Sequence, residues 1–281
     1  MEKEKEKPFF LEIAYNAVHM LIHEVPQKYL DKYDIRPIQN YDPDRKEPFG
    51  EDTPGSYVAY YNKYAQRGIG VISDEDMRKF YLANLNCLDD NIGRVLHALQ
   101  DNDLDKETIV IFVSDNGGSF HTLANNFPLT AGKSTLWEGG IRVPMAVKWP
   151  GKIKPGTIQN KYVSAADILP TIAEAAGIKL SDPEMDGISL LKPDNNRLLV
   201  WRWQKYWAVR KGDFKLTNAQ TNQQDPSFLF ISPVVNDNSL KLFNVNEDPG
   251  ERNNLTCKMP EKVKELKEEY DNWLKENTGK Y

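Results

Sequence analysis

Cysteine is scarce: Cys87 and Cys257 are the only two in 281 residues, and neither stands in a metal-binding or redox pair. That excludes a disulfide framework, a zinc knuckle and a thioredoxin-like motif. The two read as isolated thiols, and nothing in the sequence supports a bridge between them. Positive charge is also short. Lys and Arg number 36 against 41 Asp and Glu, a net charge of −5 with a pI near 5.5. Nucleic-acid binders usually present a basic face, so that class is disfavoured. No apolar run approaches the roughly 20 residues of a membrane span. The opening "MEKEKEK" runs straight into "PFFLEIAY". It lacks the apolar core that follows the basic start of a signal peptide, so no export signal is read there and the compartment stays open. The charge run itself reads as a disordered tail. There is no internal repeat.

What remains is an ordinary globular composition, 40% hydrophobic and 27% charged, long enough for one large or two modest domains. Residues 8–15, "PFFLEIAY", read as a buried strand. The next sixty or so residues, rich in Tyr, Pro, Asp and Gly, read as surface loops with short helices. A helix is predicted from about Asp74 to Gln100, with Met77, Tyr81, Leu85, Leu88, Ile92, Val95 and Leu99 on one face and a cap at Ser73 with Asp76. "TIVIFVS" (Thr108 to Ser114) is a continuous β-branched run, the pattern of a strand covered on both faces in a parallel sheet. "IRVPMAVKWPG" reads as a further strand, and "SAADILPTIAEAAG" as a helix stopped by Gly177. Beyond about Asn195, "RLLVWRW", "YWAVRKGDFKL" and "LKLFNV" predict a small antiparallel sheet. A last helix, 260–276, carries Val263, Leu266, Tyr270, Trp273 and Leu274 on one face. Helix, short loop, buried strand is α/β architecture.

Two stretches carry chemistry. "TAGKSTLWEGG" (Thr130 to Gly140) holds a Gly-Lys-Ser run that suggests a phosphate loop. That motif needs a glycine five residues before Gly132, where Phe127 stands, and a strand where "NNFPLTA" stands. A surface lysine in a loop is the plainer reading. "VSDNGG" (Val113 to Gly118) places Asp115 and Asn116 at the carboxyl end of the strongest strand, the edge where open α/β sheets gather ligands. A carboxylate beside an amide offers two hard oxygens to Ca²⁺ or Mg²⁺, while Gly117 and Gly118 let the backbone turn and pass close to a bound group. A plain turn is an equal reading of those four residues. Together, a cation-ligand pair and a lysine within twenty residues suit a tetrahedral oxyanion.

"TIVIFVSDNGG", "NNFPLTAGKSTLWEGGIRVPMAVKWPGKI", "DILPTIAEAAGI" and "LFNVNEDPGERNNL" resemble the second half of a sulfatase, of the arylsulfatase and N-acetylgalactosamine-4-sulfatase flavour. The resemblance runs over almost the whole chain. It implies an alkaline-phosphatase-like, mostly parallel sheet flanked by helices, truncated at its N-terminal side, over residues 1–194. A small α+β subdomain with an antiparallel sheet would follow over 195–281. It further implies that Asp115 and Asn116 ligate Ca²⁺, and that Lys133 contacts a sulfate ester. His19, in "NAVH", would contact the sulfate and protonate the leaving alcohol, chemistry suited to a group titrating near neutral pH. His23 and His121 match no role. Trp137 and Glu138 read as scaffold, one packing and the other bonding to nearby backbone.

The family's C/S-x-P-x-R stretch, source of the formylglycine nucleophile, is missing, as are its Asp-Asp calcium ligands and its Lys-x-His motif. Since Ca²⁺ takes six to eight oxygens, Asp115 and Asn116 do not complete a site. The expectation is a sulfuric-ester hydrolase portion, inactive unless joined by a separate N-terminal sulfatase part, acting on a sulfate-ester small molecule or a sulfated glycan. The alternative is a non-catalytic accessory protein that binds sulfated glycans.

Overall fold

The computed structural model describes residues 7–19, 25–35, 74–119, 122–181, 185–203, 205–219 and 240–277. Ser73, His23 and His121 lie outside these residues. A short helix, α1 (Gln27–Asp31), packs against the long α2 (Asp74–Asp101). Their shared core holds Tyr29, Leu30, Ile35, Met77, Phe80 and Ala83. The buried face of α2 therefore runs through Met77, Phe80 and Ala83, whereas Leu85 of the expected face is 40% exposed. Leu99, further along, is buried as expected.

Strand β1 (Val110–Val113) follows the loop after α2 and pairs antiparallel with β2 (Met145–Lys148), with Phe112 opposite Ala146. The parallel pairing that "TIVIFVS" suggests is not found among the described residues. β1 has one neighbour there, and Phe112 is 42% exposed. Residues 8–15 form no strand either; Phe9, Phe10, Leu11, Ile13 and Tyr15 are all exposed. Both runs read as covered on two faces; among the described residues β1 is half-covered and paired on one side, and residues 8–15 have no strand partner.

Between β1 and β2 lies a one-turn helix, α3 (Glu138–Ile141). A 3₁₀ turn, Ala165–Asp167, then feeds α4 (Ile168–Ala175), which ends at Gly177 in the left-handed region (φ +67°). Ser164 and Asp167 form a reciprocal capping box at the entry, satisfying two orphan N–H donors. Asp167 is almost fully buried and also accepts from Ile188 N–H and both Arg197 terminal nitrogens, at 3.0, 2.6 and 2.5 Å.

Four strands, β3 (Leu199–Trp203), β4 (Tyr206–Lys211), β5 (Phe214–Thr217) and β6 (Lys241–Asn244), form an antiparallel sheet in chain order. Gly212, at φ +58°, makes the tight turn between β4 and β5. The period-2 alternation sorts the side chains. Trp207, Val209, Leu216 and Leu242 face the final helix α5 (Pro260–Asn277), packing on Leu266 and Tyr270. Trp207 and Tyr270 stack at 4.1 Å between centroids. Burying a leucine such as Leu266 completely is worth about 2–3 kcal/mol. The opposite face of the same sheet presents Ala208, Arg210, Lys215, Thr217 and Phe243. It is covered by the segment from Ala131 to Glu138. No helix among the described residues is long and apolar enough to cross a membrane.

Candidate functional site

The turn after β1 is built by its own polar groups. Asn116 N–H donates to Asp115 Oδ1 (2.9 Å), Asn116 Nδ2 donates to the Gly117 carbonyl (2.9 Å), and Ser114 Oγ donates to the Asn116 carbonyl (3.0 Å). Asp115 is exposed at the rim. The lysine segment is bonded directly to this turn. Lys133 N–H donates to the Gly118 carbonyl at 3.1 Å, and Gly117 N–H to the Gly140 carbonyl at 3.0 Å. The structure therefore brings the backbones carrying Asp115, Asn116 and Lys133 into one hydrogen-bonded assembly.

The glycines make room for this contact. A Cβ on Gly117 would stand 1.7 Å from the Gly139 carbonyl oxygen, and one on Gly139 would stand 2.3 Å from that of Ala131. The close approach read from "DNGG" is thus to the chain's own backbone. Asn126, which the sequence reading did not single out, staples the assembly. Its Oδ1 accepts from Gly118 N–H (2.9 Å), and its Nδ2 donates to the carbonyls of Gly118 (2.8 Å) and Ala131 (3.1 Å). An Asn within "NNFPLT" was the available signal, but loop asparagines more often make local turns.

No phosphate loop forms. No strand leads into Gly132, and the helix that follows begins five residues after Lys133 and lasts one turn. Instead the lysine is flanked by two non-glycine residues in the left-handed region, Ala131 (φ +61°) and Ser134 (φ +69°). Each costs on the order of 1–3 kcal/mol, strain of the kind that gathers where a side chain must be aimed. Lys133 Nζ makes no ion pair or hydrogen bond with a described residue.

Trp137 packs as expected, 5.5 Å from Phe243 in a cluster with Ala131 and Val245. Glu138 does not bond to nearby backbone. Its carboxylate instead reaches Lys215 (3.1 Å), Arg210 (3.5 Å) and Arg142 (4.0 Å). His19 is exposed in a turn closed by its own N–H on the Asn16 carbonyl at 2.7 Å. Among the described residues no backbone hydrogen bond ties that turn to the Asp115 or Lys133 loops. Cys87 and Cys257 are free thiols. A cavity of about 600 Å³ lined by α1 and α2, including Tyr29, Cys87, Asp90 and His97, contains none of the four site residues.

The fit to a calcium ion is partial. Asp115 and Asn116 provide two hard oxygens, but among the described residues no three His, Cys, Asp or Glu side chains converge on a point. Six to eight oxygens are needed, so these residues alone do not hold the ion.

The family described as Sulfatase matches residues 1–178, and that described as N-sulphoglucosamine sulphohydrolase, C-terminal, matches residues 131–278. A sulfatase of Formosa agariphila is 37% identical over 201 residues, covering 64% of this chain and 36% of the relative. Arylsulfatase A of Homo sapiens is 29% identical over 220 residues, covering 71% and 43%. The N-acetylgalactosamine-6-sulfatase of Mus musculus is 38% identical over 139 residues, covering 46% and 27%. The chain thus spans less than half the length of these relatives. The crystal structure of Ps i-CgsB in complex with k-i-k-neocarrahexaose superposes with a TM-score of 0.71 at 26% identity, covering 97% of this chain and 51% of that one. The fold is the α/β, alkaline-phosphatase-like fold of such structures, and with the family match extending over more than half of its residues, the chain belongs to the sulfatase family.

Proposed function

We propose that this chain carries one side of a sulfuric-ester hydrolase site and works only beside an N-terminal sulfatase part. The observation that supports this is the bond from Lys133 N–H to the Gly118 carbonyl, which seats an ammonium-bearing loop on the loop of Asp115 and Asn116. In this reading Lys133 neutralises charge growing on the sulfuryl oxygens. His19 donates a proton to the departing alcohol oxygen. Asp115 and Asn116 contribute two oxygens to a Ca²⁺ whose remaining ligands lie on the N-terminal part; that ion would polarise the sulfuryl oxygens when bound. The chain contains no C/S-x-P-x-R stretch, so the nucleophile must also come from that part. The substrate class proposed is a sulfate ester carried on a sugar, in keeping with the k-i-k-neocarrahexaose in the Ps i-CgsB structure.

The test is hydrolysis of an aryl sulfate by the chain, by an N-terminal sulfatase part, and by both together. Turnover is expected only from the mixture, and Lys133→Ala should lower kcat/KM there by about 10²–10³. Turnover by the chain alone would contradict the proposal. Retention of the isolated chain on a sulfated polysaccharide without turnover in the mixture would favour the accessory-protein alternative.

A further inference from the structure

Behind the lysine loop, charges meet where solvent does not reach. Lys215 is 0% exposed, Glu138 1%, Glu251 6% and Arg210 8%. Glu251 Oε1 lies 2.8 Å from Lys215 Nζ, and Glu251 Oε2 accepts the Glu138 N–H at 2.7 Å. Glu138 in turn contacts Lys215 and Arg210. Charges are removed from water only at a cost of several kcal/mol each, so the arrangement calls for a reason beyond packing.

Glu251 supplies one. It sits at φ +51°, a backbone conformation that glycine takes freely and an L side chain does not. A glutamate at such a point is kept for its carboxylate. The turn that holds it, Asp248–Glu251, grips the lysine segment at both ends. The Gly250 carbonyl accepts from Thr130 Oγ1 at one end, and the Glu251 carboxylate takes Glu138 N–H at the other. Lys133 lies between these two anchors. Trp137 is pinned against Phe243 of β6 beside them.

We infer that Glu251 is the positioning residue of the site: its carboxylate, locked to β5 through Lys215, fixes the Thr130–Gly140 segment and hence the aim of Lys133. The inference rests on the reading of Lys133 as the anion-facing group. The turn acts as a clamp reaching from the C-terminal sheet to the site loop.

Amide hydrogen exchange on the full chain tests the clamp without any need for turnover. Glu251→Ala and Glu251→Gly should each speed exchange at Gly117, Lys133, Gly139 and Gly140 relative to α2 by about tenfold, the worth of one lost hydrogen bond. Glycine relaxes the backbone of the turn, so if the side chain served only the turn, Glu251→Gly would leave these amides slow. Glu251→Gln keeps an acceptor for the Glu138 N–H but turns its NH₂ toward Lys215, so it should retain part of the protection, between wild type and Glu251→Ala. Leu266→Ala, which loosens the far face of the sheet, should leave the ratio unchanged. Unchanged exchange in the Ala and Gly variants, or an equal rise in Leu266→Ala, overturns the inference. In the two-part aryl sulfate assay, the Ala and Gly variants should raise KM, with partial recovery in Gln. If the wild-type mixture is inactive, the sulfate reading fails while the exchange result still decides whether the clamp exists.

Discussion

Lys215 and Glu138 show what a single residue's surroundings do to its meaning. Lys215 occupies an alternate position on β5, where a polar side chain ordinarily points to water, yet it is fully buried because the lysine-loop segment covers that face. Glu251 beside it has its carboxyl pushed above the ordinary 4.5; burial raises it more than the attraction of Lys215 lowers it. An acid whose folded pKa is raised binds more protons folded than unfolded. Its contribution to stability is therefore complete below pH 4.5 and is lost as pH rises through the folded value. Urea midpoints measured across that window should fall for wild type relative to Glu251→Gln, which resembles the protonated acid. A wild-type midpoint that rises relative to Glu251→Gln would mean that the ion pair with Lys215 dominates instead, and parallel curves would mean that the two effects cancel. The sequence shows Glu251 only as part of "NEDPGE"; neither its burial nor its partner, 36 positions away in β5, is legible there.

At the scale of elements, the chain's local patterns were mostly sufficient. The Gly177 stop, an antiparallel sheet after Asn195 and the apolar face of α5 follow from short-range rules, because each needs only its own residues and one neighbour, whereas "YWAVRKGDFKL", read as one strand, is two, β4 and β5, turned at Gly212. β1 is a counterexample. Its run of β-branched residues predicts cover on both faces, but the observed partner is β2 alone, antiparallel, and Phe112 stays exposed. Loop against loop was also illegible: "DNGG" and "WEGG" show glycines, but not that Gly117 and Gly139 touch each other. Gly117→Ala should be severely disruptive, since its Cβ would overlap the Gly139 carbonyl at 1.7 Å and backbone has no rotamer by which to withdraw. The expected outcome is loss of turnover in the two-part assay together with faster exchange at Lys133 and Gly140. Retention of wild-type turnover would show that the two loops need not touch.

For the whole molecule, the exposed apolar segment is the decisive feature. Phe10 is 71% exposed and Leu11 51%, in a stretch that reads as a buried strand and has no strand partner among the described residues. Such a segment is a binding surface or an aggregation liability. In the two-part reading it is where the N-terminal sulfatase part docks. Light scattering should show the isolated chain self-associating and the mixture forming a one-to-one complex. Phe10→Asp should weaken that complex by about 2 kcal/mol, roughly thirtyfold, as for a buried aromatic anchor. An unchanged affinity would remove residues 8–15 from the interface. Sequence alone carried the α/β class and the resemblance to the family, and through that resemblance the candidates Asp115, Asn116, Lys133 and His19, because motifs stay readable without coordinates. Tertiary structure alone decided that Lys133's loop rests on Gly118 and that the buried Glu251 carboxylate accepts the Glu138 N–H from 113 positions away, because hydrogen bonds and desolvation act between segments that no local pattern links.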